Sequence, residues 1–382
     1  MRERFPGIGS DWARFDGPAG TQMVDTAIDA IADFLRSGDS ANGHGVFAAS
    51  SASTELVDDT RATVARLLGA DPGGIVFGAN MTTLTFALTR ALARTWAPGD
   101  EIVGTRLDHD ANVTPWQLAA DDRDAVLRLA PFDVATGRID PSVVIDLIGP
   151  RTKWVAITGA SNALGTMPDL APIVVAARAY GARVFVDGVH LVPHAPVDVR
   201  AIGCDVFVTS PYKWYGPHSG AMWIDEALRD SLIPYKVRPA PNTAPERFET
   251  GTVSFEAIAG IRAAAAFLLE SGIETLAREE TARFAPLLAG LHSFPHVTVH
   301  GPADLVDRTP TVSFTVTGHT PDEVAAHLAT RNIAVWSGNY YAVETMAALG
   351  LSATGAARAG VSCYTSAEDV DRLLGAVGEL TP

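Results

Sequence analysis

Between about residues 75 and 225 the chain alternates short apolar, β-rich runs with longer stretches whose apolar positions recur at helical spacing. GIVFGA (74–79), EIVGT (101–105), AVLRLA (125–130), WVAIT (154–158), RVFVD (183–187), VFVTS (206–210) and AMWID (221–225) predict seven strands. Short apolar strands separated by helix-length segments predict a mostly parallel sheet with helices on both faces. Ligands of such sheets sit outside the carboxyl ends of the strands. Polar residues that directly follow a run are therefore candidates for a site. Asp187 and Ser210 stand in such places, and the loop after VFVTS carries Lys213.

From about residue 260 the pattern changes. An alanine-rich helix, IAGIRAAAAFLLESG, is followed by amphipathic helices alternating with VTVHG, TVSFTV and IAVWSG, which predicts a smaller α+β domain. The stretch KVRPAPNTAPERFETG, with three prolines, marks the boundary region. At 382 residues the chain exceeds the size at which one core stops growing. The expected organisation is an N-terminal arm (1–20), a large domain (21–260) and a small C-terminal domain (261–382).

Composition narrows the range of partners. Apolar residues make up 47% of the sequence and charged residues 19%, as in ordinary globular proteins. The formal charge of -15, with no cluster of Lys and Arg, argues against nucleic acid and against an anionic membrane surface, both of which need a basic stripe. The N-terminal residues lack an apolar core of signal-peptide length, and the most apolar stretch, AAAAFLL (263–269), is too short to span a bilayer. A cytoplasmic location is expected. The two cysteines, Cys204 and Cys363, are too few for a disulfide framework and have no CxxC spacing, so no metal is expected and both are read as buried apolar residues.

The chemistry-bearing residues form a set. Lys213 stands between Tyr212 and Trp214 in VTSPYKWYGPHSG, where desolvation would lower its pKa and free the amine for Schiff-base exchange. Asp187 ends the neighbouring strand in VDGVH. GANMTT (78–83) leads from a strand into the helical pattern LTFALTRALARTW, so Thr82 and Thr83 open a helix whose free amides suit a phosphate, and Ser210 can add a hydroxyl. His109, in DHDANVTPW (108–116), offers a flat ring, and Arg358, in the otherwise apolar AARAGVSCY, matches a substrate carboxylate. Each residue alone has a structural reading as well: a strand-end cap, a helix cap, a packed histidine, a paired arginine. Together they supply the amine, carboxylate, ring and anion site that pyridoxal 5'-phosphate (PLP) requires.

The sequence resembles the class V aminotransferase family of PLP-dependent enzymes, and within it the cysteine desulfurase-like branch. DGPAGTQ, GANMTT, DHDANVTPW, SNALGT, VDGVH, SPYKWYGP, RFETGT and ARAG stand in the family's order over nearly the whole chain. The resemblance implies the PLP-dependent transferase fold (fold type I), with a mostly parallel seven-stranded sheet. It implies Lys213 as the Schiff-base lysine, Asp187 at the pyridine nitrogen and His109 over the ring. It also implies His190 at the phenolic oxygen, Asn162 facing the cofactor, and Thr82, Thr83 and Ser210 at the phosphate. Thr252 would reach that phosphate from the second subunit of a homodimer, and Arg358 would bind the substrate's carboxylate.

Two departures bear on the reaction. Tyr212 replaces a histidine that family members often carry before the lysine. In the loop where desulfurases carry their sulfur-accepting cysteine the chain reads VWSGNYYAVETM, with Tyr341 about where the thiol belongs. Cys204 precedes a strand and Cys363 follows Arg358, so neither aligns with that nucleophile. The expected activity is that of a lyase acting on an amino acid through an external aldimine and a Cα carbanion, by β- or γ-elimination and without a protein persulfide. Aminotransferase and epimerase chemistry of the same family are the alternatives, and an inactive PLP-fold binding protein is a remoter one. Trp214, Trp336, Tyr340 and Tyr341 either line a pocket for a side chain larger than that of cysteine or belong to the core. Ser210 and Lys213 also spell SxxK, but the SDN and KTG partners of serine acylases are missing. HLVPH lacks the glutamate of a zinc helix and contains Pro193.

Overall fold

The computed structural model describes residues 1–9 and 11–381. All seven expected strands form, and they form one sheet. In spatial order the strands are Ile75–Gly78, Gly220–Ile224, Val206–Thr209, Arg183–Asp187, Thr152–Thr158, Glu101–Thr105 and Val126–Ala130. The pairing is parallel except around Gly220–Ile224, which lies antiparallel between Ile75–Gly78 and Val206–Thr209.

Alternation along the strands divides the core. Phe77, Val103, Val155, Val184, Val186 and Phe207 join one apolar cluster. Their sequence neighbours Val76, Ile102, Trp154, Phe185, Val206 and Val208 join a second one. Side chains two apart share a face, so each cluster marks one face of the sheet. On the first face lie the helices Ala48–Leu68, Leu170–Ala179 and Phe255–Ser271; on the second lie Met81–Ala93 and Thr114–Asp121. Phe255–Ser271 begins on a Ser254 cap and packs against Asp25–Arg36 and Ala48–Leu68.

A third cluster belongs to a four-stranded antiparallel sheet, in the order Trp336–Gly338, Ala356–Gly360, Thr311–Val316, Val297–His300. The helices Ile273–Ser293, Pro321–Ala329 and Ala367–Gly378 contribute its other apolar residues. The N-terminal segment is bound into this unit: Ala13–Arg14 pairs in parallel with Ile333–Ala334, and Ala13 and Phe15 are fully buried there. It then returns to the large sheet, bringing Pro18 and Ala19 to the lysine loop. Among the described residues no helix is long and apolar enough to cross a membrane.

Candidate active site

Asp187 is the last residue of its strand and lies in register with Thr158 on one side and Val208 on the other. Two residues beyond Val208, Ser210 leads into the single turn Pro211–Lys213. The parallel topology therefore delivers the carboxylate and the amine to the same edge of the sheet, where both line one cavity of about 510 Å³, open mouth included. His109, Asn162, His190, Ser210 and Thr82 share its wall.

The helix that borders this cavity begins at Met81. Its cap is Asn80, whose side chain accepts from Thr83 N at 2.9 Å while Asn80 N donates to Thr83 Oγ1 at 3.3 Å. Thr83 is thus half of a capping box. Thr82 is exposed on the first turn, and Met81 N donates to Ser210 Oγ at 3.2 Å. Ser210 and Lys213 have separate partners, so SxxK is here a property of spelling rather than a paired nucleophile and base.

Lys213 Nζ donates to the backbone carbonyls of Pro18, at 2.5 Å, and Ala19, at 2.8 Å. Desolvation, with Arg358 as a second cause, brings its pKa down to about 7, against a smaller opposing effect of Asp187. Burial raises Asp187 to about 6, although Val189 N donates to Oδ1 at 2.9 Å. His109 is held neutral, its pKa lowered to about 3 by burial and then by the charges of Lys213 and Arg358. Its Nδ1 accepts from Ala111 N at 3.0 Å. Burial also keeps His190 neutral, and its Nε2 meets Thr311 Oγ1 at 3.0 Å.

The small domain closes one side. Arg358 is buried on Ala356–Gly360, donates from Nη1 to Asn162 O at 2.9 Å and lies over the Tyr340 ring, 4.3 Å from its centroid. Desolvation lowers its pKa to about 10. Tyr340 and Tyr341 both hold left-handed backbone, with φ of 52° and 58°, a conformation that costs a non-glycine residue about 1–3 kcal/mol. Asn162 Nδ2 donates to Tyr340 O at 2.9 Å, Asp110 N to Tyr341 O at 2.7 Å, and Tyr341 N to Asn339 Oδ1 at 3.0 Å. These bonds hold the two aromatic rings apart. Tyr340 turns inward, and its hydroxyl donates to Ala356 O. Tyr341 stays 69% exposed and stacks on His109, with centroids 5.5 Å apart and planes 24° from parallel.

Of the four aromatics, Trp214 does not belong to the site. It is fully buried in the core, and its Nε1 donates to Thr209 Oγ1 at 3.1 Å. Trp336, Tyr340 and Tyr341 do line the wider cavity that adjoins Lys213. Thr252 is exposed and lines a different cavity, beside Thr83, His218 and Ser219. Tyr212 stacks on His218 at 4.8 Å between centroids. Both cysteines are buried outside the cavities that Lys213 lines, and burial raises both thiol pKa values.

Several contributors escaped sequence reasoning. The Pro18 and Ala19 carbonyls are backbone groups without a side-chain signature, although DGPAGTQ marks their segment. Asp108 is fully enclosed, accepts from Thr105 Oγ1 and from Asn112 Nδ2 at 2.8 Å, and is raised by burial to about 8. It fixes the turn that carries His109, and its signal lay in the spacing of DHDAN.

The residues present fit PLP. Asn162 Oδ1 and Arg358 Nε are buried in residues of the cavity wall without a hydrogen-bond partner in the chain. A buried polar atom of this kind calls for a ligand, and an amine, a strand-end carboxylate and a helix N-terminus stand around the same space.

Comparison with known proteins agrees. Residues 14–373 match the family described as aminotransferase class-V. A probable cysteine desulfurase of Mycolicibacterium paratuberculosis is 33% identical over 95% of the chain, which spans only 54% of that relative's length. A cysteine desulfurase of Klebsiella pneumoniae is 32% identical, covering 98% of the chain and 96% of the relative. The apo structure of a cysteine desulfurase from Thermococcus onnurineus superposes with a TM-score of 0.94 at 28% identity, over 99% of this chain and 96% of that one. The fold is shared with C-DES, solved with glycine covalently linked to its PLP cofactor, at a TM-score of 0.85 and 23% identity over the full length of both chains.

Proposed function

This chain belongs to the class V aminotransferase family of PLP-dependent enzymes, and from that premise we propose that it is a carbon–sulfur lyase that releases its sulfur product to solvent. The observation that carries this reading is the setting of the two cysteines. Both thiols are buried and held protonated outside the cavities lined by Lys213. The loop beside Lys213 presents Tyr340 and Tyr341 instead. A protein persulfide needs an accessible thiolate.

PLP, when bound, supplies an electron sink that lets an amino acid lose a group from Cα. Lys213 and Asp187 would hold it, with Ser210, Thr82 and Thr83 at the phosphate, His190 and Asn162 at its edge and His109 against its face. In a homodimer Thr252 would complete the phosphate site of the second subunit. Arg358 binds the substrate's α-carboxylate through its fork. Lys213 Nζ, with its pKa near 7, takes the proton from Cα and can return it. In a β-elimination the Cβ–S bond breaks with its electron pair on sulfur, which takes up a proton. Water then releases the carbon skeleton as a keto acid and the nitrogen as ammonium. We place this reaction in the cytoplasm.

A screen of amino acids by product tests the reading. A lyase yields keto acid and ammonium together with free sulfide or thiol, without an amino acceptor. Keto acid formed only when an acceptor is added would instead assign transamination, and a change of chirality alone would assign epimerisation. Lys213→Ala should remove the visible absorbance of the PLP-loaded protein. A wild type that takes up no PLP would overturn the reading altogether.

A further inference from the structure

The cavity beside Lys213 widens outward to about 1660 Å³, open mouth included. Its inner end is polar, with Lys213, Asn162 and Arg358, and those groups suffice for the amine and carboxylate of an amino acid. Farther from Lys213, Phe86, Pro115, Trp336 and Tyr341 add apolar surface to its lining, beside the polar Asp110 and Thr114. Trp336 is 52% exposed and Tyr341 69% exposed in the single chain, so both rings present surface to the cavity. Asp110, whose N donates to Tyr341 O, lines the same cavity, and its carboxylate accepts from Thr114 Oγ1 at 2.9 and 3.0 Å.

The backbone fixes this arrangement. Two successive left-handed residues send Tyr340 under the guanidinium of Arg358 and Tyr341 out onto His109. One ring thus steadies the carboxylate end, while the other presents a face to whatever extends beyond it. A ring already stacked on one side offers its free face for a second aromatic.

We propose that the outer cavity is a binding site for the sulfur substituent of the substrate, that this substituent is an aryl or arylalkyl group, and that Tyr341 determines the preference. This inference rests on the proposed lyase reading for the sulfur, but not for the binding. The enzyme would then cleave thioether amino acids such as S-benzylcysteine, and release a thiol rather than sulfide.

Calorimetric titration of the PLP-loaded protein tests it with 3-(benzylthio)propanoate and 3-(methylthio)propanoate. Both carry the carboxylate and the thioether, and neither has an amine to react with PLP. The benzyl acid should bind at least about tenfold more tightly, as expected for burying the extra ring. Tyr341→Ala should cut that ratio to about threefold or less, and Tyr341→Phe should restore it. Equal affinities for the two acids, or a ratio that Tyr341→Ala leaves intact, overturn the proposal. In parallel, kcat/KM for S-benzylcysteine should exceed that for cysteine. If the benzyl acid binds preferentially while no amino acid yields thiol and keto acid, the lyase reading falls and the aryl site stands. If cysteine is cleaved and the benzyl acid has no advantage, the aryl site falls and the lyase stands.

Discussion

The guanidinium of Arg358 rests on the ring of Tyr340, 4.3 Å from its centroid, while its Nη1 donates to Asn162 O at 2.9 Å. The contact joins the small domain's strand to the loop after Thr152–Thr158 and leaves Nε free. A lysine at this position would keep the charge but lose the planar fork and the stacking. Arg358→Lys should raise KM for the amino-acid substrate about tenfold or more, the equivalent of one charge-assisted hydrogen bond, with a smaller change in kcat. Steady-state kinetics checks this, and an unchanged KM would remove Arg358 from the carboxylate site.

Arg358 also bears on the reactivity of Lys213, whose pKa falls to about 7 through desolvation and then through this neighbouring charge. Only the neutral amine attacks an aldehyde. The rate at which cofactor-free protein captures PLP should therefore rise about tenfold per pH unit below 7 and level off above it. The growth of visible absorbance after mixing measures that rate. Capture that keeps accelerating up to pH 10 would mean an ordinary, solvated lysine.

Much of this site was legible because strand ends are fixed by apolar periodicity. Asp187 closes the run RVFVD and Ser210 closes VFVTS, and the sheet brings both to the cavity that Lys213 lines. The reversed strand Gly220–Ile224 was not legible, since AMWID reads the same in either direction of pairing. Nor was the division among the aromatics: Trp214 and Trp336 are alike in sequence, and only the packing makes one fully buried and the other half-exposed. The opposed rings of Tyr340 and Tyr341 depend on φ values that tyrosine does not announce. The Pro18 and Ala19 carbonyls depend on a segment that first pairs with the far end of the chain.

Asp187 contributes a pH dependence of known sign. Its folded pKa, about 6, lies above the ordinary 3.8, so the folded chain holds this proton more tightly than the unfolded one. Stability is therefore lost as pH rises from about 4 to 6, and at pH 7 the ionised carboxylate costs about 3 kcal/mol in the cofactor-free protein. Asp187→Asn should raise the unfolding midpoint of cofactor-free protein at pH 8 and lose that advantage near pH 4. Denaturant titration at the two pH values measures it. An equal effect at both would assign the gain to packing rather than charge.

The two thiols give a chemical test. Cys204 is 4% exposed and Cys363 1% exposed, and burial raises the pKa of each. Iodoacetamide should label neither in the native protein and both after denaturation, read by intact mass. Incubation of the loaded enzyme with cysteine should add no sulfur to the chain. A native protein that labels at once, or gains the mass of one sulfur atom, would restore the persulfide route.

Behind the site, Glu280 is fully buried and serves two large-domain side chains: His194 Nδ1 lies 2.7 Å from its Oε2, and Tyr215 OH donates to its Oε1 at 3.1 Å. This carboxylate sits on Ile273–Ser293, so it ties that helix to the loop after Arg183–Asp187. Glu280→Ala would leave both partners without this acceptor in the interior, a change of about 1–3 kcal/mol for each group left unsatisfied. Glu280→Gln keeps an oxygen for one of them and should cost less. The ring of His194 meets that of His190 edge-on at 5.4 Å between centroids, so loss of the anchor should be felt in the cavity as well. Weaker PLP retention on dialysis should therefore accompany the lower unfolding midpoint of Glu280→Ala. Full retention with the same loss of stability would confine Glu280 to holding the two domains together.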